Sequence, residues 1–341
     1  MSSKVKYTDD LFNDRKATRA TRGTPTFAAD HYMKAGVAAF TSAVSAGIID
    51  DSVDLRKAIA TKLHPSLCPK GVLFRECRDS DEYPLSVPVS LLLDVTGSMS
   101  QVPKLMQEKL PALMGLLIRK GYLQYPAVQI IGLGDATCDH TPLQVGQFEN
   151  GIEIENDLTN LHLEGGGGGQ QTESYELALY FEDRHTVTDH YEKRGLKGYM
   201  FIIGDEMPYN KLKIHEVEQV IGDKLTEAIS VEQIIQSLRE KWEIFFILPN
   251  HTSNFHDSIV RGKWEKLLPE RVIYLNEPSL INETIAAQIG TFEDRFKEDD
   301  LKDAGVSDVA AVTRALVPVG DRGSLQTVDS SGAPSGLSTF D

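Results

Sequence analysis

Short, mainly apolar runs recur along the middle of the chain, and three of them end in an aspartate. These three runs are residues 87–94 (VPVSLLLD), 127–135 (AVQIIGLGD) and 199–205 (YMFIIGD). Two more runs, 243–248 (EIFFIL) and 271–275 (RVIYL), follow towards the carboxyl end. Strands of a parallel sheet covered on both faces have this composition, because neither face meets water.

Stretches with helical periodicity separate the apolar runs. Residues 102–120 place their apolar side chains on one face of a helix, and a second helix is expected over residues 173–183. A third is expected to begin at Ser230, where Gln233 completes a reciprocal capping pair. Residues 143–148 (LQVGQF) suit an edge strand. The alternation predicts an α/β fold, a doubly wound and mostly parallel sheet with helices on both faces.

The same pattern divides the chain into five segments. We predict a flexible polar arm over residues 1–29, a helical amino-terminal extension and connector over 30–86, the α/β domain over 87–295, a helical segment over 296–319, and a disordered tail over 320–341. The tail is assigned from its Gly, Ser, Pro and Thr content, because such a segment has too few large apolar side chains to form a core.

Charge and cysteine usage narrow the class of protein. The net charge is −15 over 341 residues, which repels phosphate backbones, so we do not expect a nucleic-acid partner. The three cysteines, Cys68, Cys77 and Cys138, lack metal-ligand spacing and suit free thiols in a reducing compartment. The amino terminus lacks the apolar core of a signal peptide, and no apolar run approaches a membrane span. We therefore expect a cytoplasmic protein without a membrane segment.

Carboxylates follow three of the predicted strands. Asp94, Asp135 and Asp205 each come at the carboxyl end of a buried strand, which is the edge where doubly wound sheets bind ligands. Like charges held close together destabilise each other unless a cation neutralises them.

Hydroxyl side chains are expected at the same edge. Thr96 and Ser98 lie on the turn directly after Asp94, and a five-glycine loop at 165–169 precedes Thr172. Carboxylate and hydroxyl oxygens favour Mg²⁺, Mn²⁺ or Ca²⁺ over zinc.

This set of residues resembles the metal-ion-dependent adhesion site (MIDAS) of the von Willebrand factor A (vWA) family. That site combines a D-x-S-x-S turn after the first strand, a Thr in a later loop and an Asp after the fourth strand. Asp94, Thr96, Ser98, Thr172 and Asp205 match in order and position. The D-x-[ST]-x-S turn is a weak signal alone and a strong one in this combination.

The resemblance covers roughly residues 87–290 and implies a function. It implies that the five residues hold Mg²⁺, or Mn²⁺ or Ca²⁺, with one coordination position open to an Asp or Glu of a partner protein. It also implies an intracellular protein-interaction module, an adaptor or assembly component that works with an AAA+ ATPase or a larger assembly. Such a module needs no nucleophile or general base, so we do not expect an enzyme.

Two residues depart from the family pattern. Thr96 stands where Ser is usual and keeps the hydroxyl. Glu206 follows Asp205 where a small residue is common, and its carboxylate either fills the open metal position or points to solvent. We expect the second outcome. We also expect Asp135, Asp139 and His140 to be solvated loop residues rather than a second metal site.

Two other functions fit parts of the sequence. A haloacid-dehalogenase-like phosphohydrolase also has an Asp after its first strand, but it needs a second Asp two residues later as acid and base, where this chain has Thr96. An RNA-binding scaffold would use the small basic patch of the arm, Arg15, Lys16, Arg19 and Arg22, against the acidic charge of the whole chain. Both remain alternatives to the interaction module.

Overall fold

The structure, a computed structural model, describes residues 8–22, 34–35, 37–46, 62–99, 101–164 and 171–319. The glycine loop at 165–169 and the tail at 320–341 lie outside the described residues, so the expectations for both stay predictions.

A six-stranded sheet forms the centre of the protein. Its strands are β1 Val87–Asp94, β2 Pro126–Leu133, β3 Leu143–Val145, β4 Gly198–Ile203, β5 Trp242–Pro249 and β6 Val272–Leu275. They lie in the order β3-β2-β1-β4-β5-β6, and every neighbouring pair is parallel except β2 with the edge strand β3. Strand order reverses at β1, as in doubly wound folds. The predicted fold class is confirmed.

Helices cover both faces of this sheet. They are α1 Asp9–Arg22, α2 Val37–Ser45, α3 Val102–Glu108, α4 Leu110–Met114, α5 Ile154–Asn160, α6 Tyr175–Arg184, α7 Asp189–Glu192, α8 Ile214–Val220, α9 Val231–Leu238, α10 Ser258–Leu267, α11 Ile281–Phe292, α12 Glu298–Asp303 and α13 Val309–Ala315. Helix α9 begins with the predicted capping box, in which Ser230 and Gln233 bond each other's backbone. The helix predicted over 102–120 is instead divided into α3, α4 and a π turn at Gly115–Arg119. The division falls beside Pro111, which has no N–H to continue the helical ladder.

Alternate side chains of the strands enter two separate cores. In β1, Leu91 and Leu93 pack on the face covered by α3, α4, α5 and α11, and Leu92 packs on the face covered by α6, α8, α9 and α10. All three are fully buried. This is the two-sided burial that the mainly apolar runs predict.

The amino-terminal segment differs from the predicted polar arm. Residues 9–22 form the helix α1, Phe12 is 2% exposed within the core, and Arg15 donates to Asn156 Oδ1 at 3.1 Å. The sequence does not reveal this docking because the helix contributes so few apolar side chains. Helix α2 lies within the predicted helical extension, whose residues 47–61 are outside the described part of the chain.

The connector before β1 is fastened to the domain. Its strand Arg75–Cys77 pairs in parallel with Thr186–Thr188, and Arg194 bonds both oxygens of Asp79 at 2.7 and 3.2 Å. Two more short ladders join Lys211–Leu212 to Ile229–Ser230 and Thr172–Glu173 to Met207–Pro208.

The state of the cysteines agrees with the prediction of free thiols. Cys68, Cys77 and Cys138 are free thiols. Among the helices of the described residues, none combines the length and apolarity that a bilayer crossing requires.

Replacing Phe12 with Ala tests whether α1 belongs to the core. Phe12→Ala should lower the free energy of unfolding by about 3 kcal/mol, because it empties a buried aromatic site. Urea denaturation measures this change. The control is Asn13→Ala on the exposed side of α1, which should stay within about 0.5 kcal/mol of wild type. Equal effects for the two variants would contradict the docking of α1.

A buried carboxyl on α6 makes stability depend on pH. Burial raises the pKa of Glu182 to about 8. Above the ordinary pKa the unfolded chain has released this proton while the folded chain keeps it, so stability falls as pH rises towards the folded value, on the order of 1 kcal/mol per pH unit. Glu182→Gln removes this contribution. Urea denaturation between about pH 5 and pH 8 should therefore show the free energy of unfolding of Glu182→Gln increasing relative to that of wild type as the pH rises. Parallel pH profiles for the two proteins would exclude the effect.

Candidate metal centre

Asp94 ends the central strand and is fully buried. Its Oδ1 accepts hydrogen bonds from the backbone N–H of Thr96 at 2.9 Å and from the Thr96 hydroxyl at 2.6 Å. Its Oδ2 accepts the hydroxyl of Tyr175, at the start of α6, at 3.1 Å. The turn after β1 therefore folds around this carboxylate.

Asp205 reaches the same edge from β4. The pairing of Leu93 with Ile203 brings the ends of β1 and β4 side by side. Ser98 donates its hydroxyl to Asp205 Oδ1 at 2.9 Å. Asp205 is fully buried, and its Oδ2 has no hydrogen-bond partner among the described residues. One oxygen of the carboxylate is thus left for a ligand.

The two aspartates influence each other electrostatically. Burial, and then the negative charge of Asp205, raise the pKa of Asp94 to about 7, and the bonds from Thr96 and Tyr175 act in the opposite direction. A carboxylate in this position needs a nearby positive charge to stay fully ionised at neutral pH.

Thr172 arrives at this edge through main-chain pairing. It lies opposite Met207 in the short ladder that follows Asp205. The phenol of Tyr209, two residues beyond Met207, donates to both oxygens of Asp135 at 3.3 and 3.1 Å. The ladder thus brings the backbone of Thr172 to this edge, while the hydroxyls of Thr96 and Ser98 contact the two central aspartates directly.

The Asp135 loop is not the solvated loop that we expected. Asp135 is 1% exposed and accepts the backbone N–H and hydroxyl of Thr137, both at 2.8 Å. Asp139 turns back to accept the backbone N–H of Asp135 at 2.7 Å. Only His140 of the three is exposed. Tertiary packing of Tyr209 closes this loop, and no sequence signal marked that contact.

Glu206 also differs from expectation, because it does not simply point to solvent. Its Oε2 is buried and has no hydrogen-bond partner in the described part of the chain. Burial, then the charges of Asp205 and Asp94, raise its pKa to about 8. Glu173, which the sequence analysis did not single out, is 2% exposed, and burial followed by the charges of Asp94 and Glu206 raises its pKa to about 10.

Tyr175 is a positioning residue that the sequence analysis missed. Its ring packs edge-on against Trp264, with centroids 5.2 Å apart. A Cβ at Gly204 would lie 1.9 Å from the Tyr175 hydroxyl, so only glycine leaves room for this phenol to reach Asp94. Two features of the sequence could have marked Tyr175. One is this glycine, and the other is the position of Tyr175 in the first turn of the helix after the glycine loop.

The donor set fits a hard divalent cation. Asp94 and Asp205 provide carboxylate oxygens and Thr96 and Ser98 provide hydroxyls, and the unpartnered Oδ2 of Asp205 marks where positive charge is missing. Within the residues that the structure describes, no three His, Cys, Asp or Glu side chains stand in metal-binding geometry. A cation at this edge would therefore need hydroxyl oxygens beside the carboxylate oxygens.

Comparisons with known proteins show likeness in structure but not in sequence. No family model and no curated protein matches it. The pilus adhesin SpaC from Lactobacillus rhamnosus GG, in its open conformation, is similar at 11% identity and a TM-score of 0.45, over 64% of this chain and 31% of the adhesin. Proximal thread matrix protein 1 from the mussel byssus, in crystal form 2, is similar at 10% identity and a TM-score of 0.39, over 62% of this chain and 47% of that protein.

The same mussel protein is also known with a zinc-occupied MIDAS motif, at 11% identity and a TM-score of 0.39, over 62% of this chain and 47% of that one. This chain therefore spans less than half of the length of each of these proteins. The strand order and the helices on both faces of the sheet define the fold of this chain.

Gly204→Ala tests the close approach of Tyr175. The added methyl should lower the free energy of unfolding by about 2 kcal/mol, because Trp264 prevents the ring from retreating. Combining it with Tyr175→Phe removes the clashing oxygen, so a double-mutant cycle should show a coupling above about 1 kcal/mol. Gly262→Ala is the control, since no atom lies within 4 Å of its Cβ position. Additive effects at 204 and 175 would contradict the contact.

Proposed function

We propose that this chain is a metal-dependent protein-interaction module of the von Willebrand A type. The observation that supports it most is the meeting of Asp94, Thr96, Ser98 and Asp205 at the edge beside the strand-order reversal, with one buried Asp205 oxygen lacking a hydrogen-bond partner among the described residues. Ligand sites of doubly wound folds lie at this point.

The residues of the site divide the work of binding. A bound Mg²⁺, Mn²⁺ or Ca²⁺ would supply a positive centre that accepts an oxygen ligand from another molecule. Asp94 and Asp205 hold the negative charge that attracts the cation, and Thr96 and Ser98 orient these carboxylates through their hydroxyls. Thr172 is the fifth ligand of the proposal, supplied by the ladder with Met207. The hydroxyl of Tyr175 orients Asp94 by donating a hydrogen bond to its Oδ2.

The partner in this proposal is a protein that presents an Asp or Glu. The proposal also includes an adaptor or assembly role in the cytoplasm, beside an AAA+ ATPase or within a larger assembly. This role and this location come from the family resemblance alone. Nucleic acid does not fit, since Arg15 of the basic arm already contacts Asn156 and lies 3.8 Å from Glu155.

A non-catalytic role is also part of the proposal. A phosphohydrolase of the haloacid-dehalogenase type would need an acid at position 96, where the hydroxyl of Thr96 instead donates to Asp94. Turnover of a generic phosphate ester with Mg²⁺ that disappears in Asp94→Asn would contradict this role.

Metal binding should stabilise the folded chain. Mn²⁺ or Mg²⁺ at about 100 times its Kd should raise the melting temperature by roughly 5–10 °C, because the cation binds only the folded state. The combined Asp94→Asn and Asp205→Asn variant should lose this rise. Differential scanning calorimetry with and without the cation measures it.

The matched control removes the same charge from exposed positions, with Glu218→Gln and Asp81→Asn. It should keep the full rise. The absence of a rise in wild type, or an equal rise in the Asp94 and Asp205 variant, would overturn the proposed site. For the partner, proteins retained on the immobilised chain with Mg²⁺ should be released by a chelator and should be missing from the Asp94→Asn column.

A further inference from the structure

A fully buried glutamine on α11 holds the backbone of a segment near the end of the described chain. Gln288 has no exposed surface and lies on a helix that packs against one face of the sheet. Its Nε2 donates to the carbonyl oxygen of Val317 at 3.0 Å, and its Oε1 accepts the Val317 N–H at 2.9 Å. One side chain thus bonds both polar groups of a single residue, as the backbone of a neighbouring antiparallel strand would.

Residues 316–319, the 316–319 segment, have the form of an extended peptide. Helix α13 ends at Ala315, and Leu316 has extended backbone angles, φ −66° and ψ 139°. Pro318 follows Val317, and the residue before a proline is restricted to extended conformations. Leu316 and Val317 pack against the core but are only half-buried, and Pro318 is exposed. The segment therefore lies on the protein as a bound peptide does, outside any helix or strand.

Few interactions hold the 316–319 segment. Within the described ranges, the two bonds with Gln288 are the only hydrogen bonds that join it to the protein beyond the last turn of α13. Its side chains keep part of their surface in water, so they gain less from burial than core side chains do. Local opening of such a segment costs much less free energy than unfolding of the whole domain.

Opening of the segment leaves the amide of Gln288 without the backbone that it bonds. Among the described residues, Val317 is the only hydrogen-bond partner of this side chain. A buried amide without a partner is costly, so the surface of α11 around Gln288 requires the N–H and C=O of an extended backbone. Because the amide bonds only the main chain, another extended segment with apolar side chains can take the same place.

We propose that the surface of α11 around Gln288 binds an extended apolar peptide segment of a partner protein, and that the 316–319 segment occupies this site in the free chain. The chemistry of the partner segment follows from the present occupant, which brings aliphatic side chains and a free N–H and C=O opposite Gln288. The 316–319 segment is an internal competitor, so the apparent affinity for the partner falls with the fraction of chains in which the site is open. None of these residues belongs to the proposed cation ligands, so this site is independent of the metal-dependent function.

Amide hydrogen exchange of the full chain tests whether the segment opens by itself. The Val317 N–H should exchange at least about a hundredfold faster than the amides in the middle of α11, because only the 316–319 segment has to leave the surface. Protection of Val317 equal to that of α11 would show that the segment opens only when the domain unfolds, and would overturn the proposal.

Fluorescence anisotropy with a labelled peptide of residues 314–319 (RALVPV) tests the site in the full chain. Val317→Pro removes the N–H that Gln288 accepts and suits the extended backbone of Leu316, which a following proline favours. This variant should bind the peptide at least about tenfold more tightly than wild type, because its internal competitor is weakened.

Two further variants in the Val317→Pro background show whether Gln288 holds the peptide. Gln288→Leu should abolish the gain in binding, because the amide that bonds the peptide backbone is lost. Gln236→Leu on the exposed side of α9 is the matched control and should leave binding unchanged. A peptide that is N-methylated at the valine corresponding to Val317 should not bind, since it lacks the N–H.

Several outcomes would overturn the proposal. They are equal peptide binding by wild type and Val317→Pro, binding that survives Gln288→Leu, and no binding by a folded Val317→Pro chain. A fall of more than about 10 °C in the melting temperature of Val317→Pro would also do so, because the 316–319 segment would then be an integral part of the core. Sedimentation that shows wild-type dimers which Gln288→Leu abolishes would make a second copy the occupant and would exclude a partner protein.

Discussion

The burial of the Asp94 carboxylate is the constraint on which the rest of the site depends. It ends the central strand with no exposed surface, so every neighbour must either donate to it or make room. Thr96 donates twice, Tyr175 donates from the opposite side, and Gly204 lacks the side chain that would exclude the phenol. A buried charge is tolerated only when it is bonded and neutralised. The bonds are supplied by the chain, and the neutralising charge is what a cation would add.

The architecture explains how distant residues meet at this carboxylate. Strand order reverses at β1, so the loops after β1 and β4 open on the same edge, and each brings an aspartate. Thr172 and Glu173 reach the edge by pairing with Met207–Pro208, just beyond the end of β4. Main-chain hydrogen bonds thus fix where the residues of this edge lie along the chain's strands and ladders.

Glu173 and Glu206 are acidic groups at this edge that the predicted ligand set does not include. The Oε2 atom of each is buried without a hydrogen-bond partner among the described residues. Burial, followed by the charges of neighbouring carboxylates, raises the pKa of Glu173 to about 10 and that of Glu206 to about 8. The edge of the sheet is therefore more acidic than the two predicted aspartates alone would make it.

The sequence by itself determined the strands of the sheet and their order along the chain. Strands buried on both faces consist mainly of apolar residues, and such runs can be recognised from local composition. The sequence also determined the helix start at Ser230, since a capping box is a local interaction. Only the tertiary structure decided that Phe12 docks, that Asp135 is enclosed by Tyr209, and that Glu173 is buried. Those outcomes depend on which distant side chain fills a space or supplies a charge, and no local pattern records that.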